Sequence, residues 1–134
     1  MELKLAFRTR LVDEPIGWMT TVSDSGVPST NPVWFLLRDD DTIVVHSKDP
    51  SARMRNIGAN PHVTLHLEGN GRGGDILVCN GVARVDRSEP NASHDAAFLD
   101  KYRSFLERNR WTPQWFADHY PTPIVIEISS IRGW

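Results

Sequence analysis

Along most of the chain, apolar residues either alternate with polar ones or gather in short β-branched runs, a pattern with the period of strands and not of helices. Residues 16–22 and 27–37 are rich in β-branched and aromatic side chains, and Asp24-Ser25-Gly26 between them is a turn signal, so the pair predicts a β-hairpin. The triple Asp39-Asp40-Asp41 then sets off Thr42-Ile43-Val44-Val45-His46 as a third sequential antiparallel strand. In His62-Val63-Thr64-Leu65-His66-Leu67 strict alternation predicts a half-buried strand with both histidines on its polar face. Residues 75–85 predict another strand, in which Asn80-Gly81 fits either a hairpin turn or a bulge. Residues 124–128 predict a buried final strand, followed by the tail Ile131-Arg132-Gly133-Trp134.

Helices are fewer and short. Asp49 as N-cap and Pro50 in the first turn predict a helix over residues 51–57, roughly two turns, stopped by Gly58 and Asn60-Pro61. In residues 94–108, Phe98, Leu99, Tyr102, Phe105 and Leu106 fall at helical spacing. Trp111-Thr112-Pro113 opens another short helix, which Tyr120-Pro121 ends. Residues 69–74 are glycine-dense and predict a mobile loop. The expected architecture is mainly β: six or so antiparallel strands forming a small barrel, with short helices, in one domain over residues 1–134.

Composition narrows this further. The 134 residues carry 15 Lys+Arg against 17 Asp+Glu, a net charge of −2, which gives no global electrostatic case for a nucleic-acid partner. With 40% hydrophobic and 24% charged residues the chain is too apolar for disorder and too broken by charge for a membrane span. The lone Cys79 allows no internal disulfide and no Cys/His zinc spacing, and the N-terminus lacks an apolar leader core, so a cytoplasmic protein is expected. A small barrel has little depth for a large ligand, a problem that dimerisation would solve.

Candidate chemistry is sparse. No nucleophile–base pair or paired carboxylates stand out, so no catalytic side chain is assigned. Neither His62/His66, two pleats apart on a strand, nor the aspartate triple makes a metal site. The segment from Ser47 to Asn56 combines a strand end, a helix N-terminus, hydroxyls at Ser47 and Ser51, and the cations Lys48, Arg53 and Arg55. A helix start offers unpaired N–H groups and partial positive charge, so this set could receive a phosphate; it equally fits a capped surface helix with solvated cations. Five tryptophans, Trp18, Trp34, Trp111, Trp115 and Trp134, exceed what a core of this size needs, and Trp134 suits either stacking or barrel closure. Pro32 inside a strand run implies an edge with free main-chain groups.

Taken in order, Gly17-Trp18-Met19-Thr20-Thr21, Gly26-Val27-Pro28, Pro32-Val33-Trp34-Phe35, His46-Ser47, the run from Ser51 to Ile57, Asn60-Pro61-His62-Val63 and Gly81-Val82-Ala83-Arg84-Val85 resemble the pyridoxamine-phosphate-oxidase-like split β-barrel superfamily. More specifically, the pattern resembles its small members that use the deazaflavin coenzyme F420. This resemblance implies that Asn80-Gly81 lies inside one long bent strand. It implies a homodimer with a cofactor ring in each of two interfacial grooves. Ser47, Lys48, Ser51 and Arg53 would hold the cofactor phosphate, Asn56 would brace the helix, Pro32, Val33 and Trp34 would line the ring, and Trp134 would lie near it. Arg53 stands where the family usually has lysine, which keeps the charge and adds a fork of donors. The implied activity is hydride transfer from reduced F420 to an electron-poor double bond of a small-molecule acceptor, an enone, quinone or lactone. An FMN-dependent oxidase or reductase, and a non-catalytic cofactor- or tetrapyrrole-binding protein, are the competing readings.

Overall fold

The computed structural model describes residues 2–134. Helix α1 (Leu5–Asp13) leads into strands β1 (Gly17–Val22), β2 (Pro28–Val33), β3 (Leu36–Leu37) and β4 (Thr42–Ser47). Helix α2 (Ala52–Ala59) precedes β5 (His62–Leu67) and β6 (Leu77–Val85), and a single 3-10 turn (Ala92–His94) leads to α3 (Ala96–Asn109), α4 (Pro113–His119) and β7 (Thr122–Gly133). All pairings are antiparallel, in one 7-stranded sheet of order β2-β1-β5-β6-β7-β4-β3.

That order forces the sheet to curl. Strands β2 and β3 occupy opposite edges, yet only Trp34 and Phe35 separate them. Three peptide links span at most about 11 Å, so the two edges must meet, and the sheet becomes a barrel split at that corner. The result is the mainly β, antiparallel split barrel with short helices that the sequence predicts.

Packing follows the alternation of each strand. On β4, Ile43 and Val45 join Met19, Phe35, Leu65, Leu77, Ile124 and Ile126 inside the barrel. Its other face, Val44 and His46, is equally buried, because α3 and α4 cover it with the second cluster of Phe98, Tyr102, Leu106 and Phe116. On β6, the ladder to β7 shifts register between Asn80 and Gly81, which pair with Ser130 and Ile128 and leave Ser129 as the extra residue. The strands approach so closely there that a Cβ on Gly81 would lie 2.6 Å from the Glu127 carbonyl oxygen. Edge strand β2 is exposed over most of its length and carries Pro28 and Pro32.

Several expectations need correction. The expected strand over residues 27–37 is broken at Trp34-Phe35 into β2 and β3. The strand at Thr42–Ser47 does not extend the first hairpin; it pairs with β3 and β7. The N-cap of α2 is Ser51, whose hydroxyl accepts the Met54 N–H at 3.1 Å, and Pro50 lies before the helix. Residues 4–14 include a helix, α1, that the periodicity does not announce, and the final strand is longer than its apolar run.

The break at Trp34-Phe35 leaves peptide groups without a ladder partner, and Tyr102 meets them. The Phe35 N–H donates to the Tyr102 hydroxyl at 2.7 Å, and that hydroxyl lies 2.8 Å from the Pro15 carbonyl and 2.9 Å from the Phe35 carbonyl as donor. Burial pushes the phenol pKa up, so it stays a donor at all ordinary pH. Tyr102→Phe keeps the ring and strands a buried N–H, so it should lower unfolding free energy by about 1–3 kcal/mol. Urea unfolding with an unchanged m-value checks this; a loss below about 0.5 kcal/mol would show that the corner does not depend on the phenol.

Candidate functional site

At the split, a cleft of about 270 Å³ opens between the end of β2, the end of β4, α2 and the α3–α4 hairpin. Pro32, Val33 and Trp34 form one wall. His46 and Arg53 reach it from β4 and α2, and Asn109, Trp111, Phe116 and Tyr120 close it from the helices. The expected residues Pro32, Val33, Trp34 and Arg53 thus share one cavity. Trp34 stacks parallel on Tyr102 (4.7 Å) and Phe116 (5.1 Å) and edge-on against Phe105, so it is a core residue as well as a wall.

The polar side of the cleft centres on α2. Ser51 caps the helix with its Oγ 3.3 Å from the Ser47 hydroxyl, while the N–H groups of the first turn lack carbonyl acceptors within the helix. Arg53 follows in the first turn. It is half-buried, burial pulls its pKa down, and no carboxylate lies within ion-pair distance of it among the described residues. Arginine does not give up its proton, so Arg53 is a partly desolvated cation without a counter-charge. Asn56 donates to the Thr21 hydroxyl at 2.9 Å, tying α2 to β1.

The other expected residues sit differently. Ser47 is wholly buried and donates to the Lys48 carbonyl at 3.0 Å, with Ser51 Oγ at 3.3 Å, so it supports Ser51 from behind. Lys48 is exposed at the rim, its ammonium 5.6 Å from the Tyr120 ring centroid. Trp134 stands apart. It is 67% exposed at the far end of the 12-residue β7, where it pairs with Ile76.

His46 is the residue that local reading misses. A β-branched run predicts its strand but not what covers it. It is 5% exposed, lies edge-on to Phe98 (4.9 Å) and Phe116 (6.4 Å), and neither ring nitrogen meets a hydrogen-bond partner among the described residues. Burial pulls its pKa to about 4; Asp95 opposes that shift and Arg38 adds to it. The imidazole is neutral at pH 7. Cys79, by contrast, is buried in the barrel and its thiol is pushed up to about 12, so it is inert. Among the described residues no group of three His, Cys, Asp or Glu is placed to hold a metal, and no helix is long and apolar enough to cross a membrane.

An antiparallel sheet that curls until its edges meet, with a cation and an aromatic wall at the split, defines the split β-barrel class. Residues 3–134 match the model of the pyridoxamine 5'-phosphate oxidase family, and the chain belongs to that family. No curated protein matches its sequence. Among solved structures it is similar to an F420 reductase (19% identity, 97% of this chain and 98% of that one, TM-score 0.69). It is also similar to General Stress Protein 26 of Bacillus anthracis (23%, 98% and 92%, TM-score 0.68) and to the heme storage protein HutZ of Vibrio cholerae (14%, 99% and 95%, TM-score 0.65). At these identities the likeness is one of fold.

The depressed pKa of His46 has a sign. Between about pH 6.5 and 4 the unfolded chain binds a proton at this histidine and the folded chain does not, so stability falls as pH falls through that window. Replacing His46 with Phe, which keeps the aromatic contacts, should flatten this dependence by up to about 1.4 kcal/mol per pH unit. Urea midpoints at pH 7, 6, 5 and 4 for both proteins measure it; parallel curves would mean the imidazole is protonated in place.

Proposed function

We propose that the protein is an F420-dependent oxidoreductase that reduces an electron-poor double bond in a small acceptor. The observation that carries the reading is Arg53, a half-buried guanidinium without a counter-ion at the start of a helix, facing an aromatic cleft. Such a donor set fits an anionic tail joined to a flat ring. In the bound state Arg53, the Ser51 hydroxyl and the first N–H groups of α2 hold the tail, with Ser47 behind them and Lys48 at the rim. Asn56 keeps α2 fixed against β1. Trp34, Trp111, Phe116 and Tyr120 orient the ring and exclude water, with Pro32 and Val33 at its edge. Bound reduced F420 supplies the hydride; the chain supplies position and field, and no side-chain acid is assigned.

Two considerations favour F420 over FMN: the similarity to an F420 reductase, and the cation Lys48 beside the Arg53 cleft, which suits a cofactor tail rich in negative charge. A homodimer belongs to the same proposal. The cleft holds only about 270 Å³ within one chain, below the usual size of a ligand pocket, and Trp134, distant from its own cleft, is exposed for contact with a second copy.

Side-by-side titration with F420 and FMN, followed by cofactor and tryptophan fluorescence, tests the assignment. Selective F420 binding is expected. Preference for FMN moves the protein to flavin chemistry, and binding of neither, or of heme alone, sinks the cofactor reading. Arg53→Ala should weaken F420 binding by about 1.5–3 kcal/mol, roughly 10- to 150-fold. Trp134→Ala, which keeps the main-chain pairing with Ile76, should weaken it without lowering the unfolding midpoint, and a silent substitution would remove Trp134 from the site.

A further inference from the structure

Buried polar groups are almost always satisfied, and the ones that are not call for an explanation. His46 is such a group. Its ring lies between β4 and the α3–α4 hairpin, nearly out of solvent, and it lines the same cleft as Arg53. Its neighbours Phe98 and Phe116 offer ring edges and faces but no acceptor or donor for its nitrogens. A structural histidine would have a carbonyl or carboxylate on one nitrogen. Asp95, the nearest acidic influence, is instead paired with Arg38 at 2.9 Å. A residue whose only role was to fill this space would do so at lower cost as Phe or Leu.

We propose that His46 is a specificity-determining contact of the cleft, giving a hydrogen bond to an uncharged polar edge, a carbonyl or a ring N–H, on the flat part of the ligand whose anionic part Arg53 holds. The inference rests on the functional reading above and adds to it a second recognition point. A neutral imidazole carries one donor and one acceptor, so it meets either group of a carbonyl/N–H edge by choice of tautomer. Discrimination follows from the same burial. A ligand without such an edge leaves the imidazole unpaired in an apolar surround and is rejected, while a ligand with one satisfies it. Selection at the cleft is then twofold, charge at α2 and hydrogen bonding at β4.

The test compares wild type, His46→Phe, His46→Gln and Arg53→Ala in titrations with F420 and FMN, together with ¹⁵N-edited NMR of the imidazoles, His46 being assigned by its absence in the variants. Addition of the bound cofactor should shift the His46 nitrogens. His46→Phe should raise Kd at least tenfold, and His46→Gln, which restores a donor and an acceptor, should recover part of the loss. If Arg53→Ala weakens binding while His46→Phe binds like wild type and the imidazole signals do not move, His46 is packing only and the functional reading stands without it. If wild type binds neither cofactor, that reading falls and this inference with it. Should His46→Phe fail to fold, the wild-type NMR titration and His46→Gln still decide.

Discussion

Between Val33 and Leu36 the backbone leaves one edge of the sheet for the other, and the peptide groups released there are held by one phenol. Tyr102 accepts from the Phe35 N–H and donates to a carbonyl of the same corner. Without such a partner the corner would bury unsatisfied backbone, which proteins avoid. The constraint reaches further than the barrel. Tyr102 stands on α3, so the bond that closes the corner also fixes the helix that covers the outer face of β4. Trp34, stacked on Tyr102 and on Phe116 of α4, extends the same hold to the second helix. The cleft walls are set by one chain of contacts that begins at a main-chain amide.

Electrostatics and packing divide the cleft between them. Its apolar side is rigid, built of rings locked against one another. Its polar side is a short helix held at two points: Ser51 caps its start and Asn56, at its middle, ties it to Thr21. Arg53 is thereby held in a partly desolvated position that a free surface arginine would not keep. The planar guanidinium retains its proton under burial where an ammonium would be more easily discharged, so arginine suits this half-covered place.

Much of this was legible in the sequence because its signals are local. Alternation placed β5, a run rich in β-branched and aromatic residues placed β1, and apolar spacing placed α3. Asp49 and Pro50 marked the helix α2, although its cap proved to be Ser51, and Ser47, Ser51 and Arg53 beside its start marked the candidate chemistry. What was not legible depends on contacts distant in the chain. The pairing of Thr42–Ser47 with β7 joins segments with most of the protein between them, and no local pattern announces it. Helix α1 buries only Leu11 completely and begins without a capping side chain, so its residues carry little helical periodicity. The burial of His46 is decided by Phe98 and Phe116, which arrive from two helices later in the chain. Ser129 is the extra residue at the register shift, whereas the visible sequence signal, Gly81, marks the strand opposite, where space is needed.

Strand β2 lies at the free edge of the sheet, and an open edge of unpaired N–H and carbonyl groups is a template for further strands. Pro28 and Pro32 sit on it two pleats apart, and a proline in a paired edge strand turns its missing donor outward. The outward row therefore lacks a donor at each end. Strand addition at this edge is thereby disfavoured, since an incoming strand meets two outward positions that cannot donate.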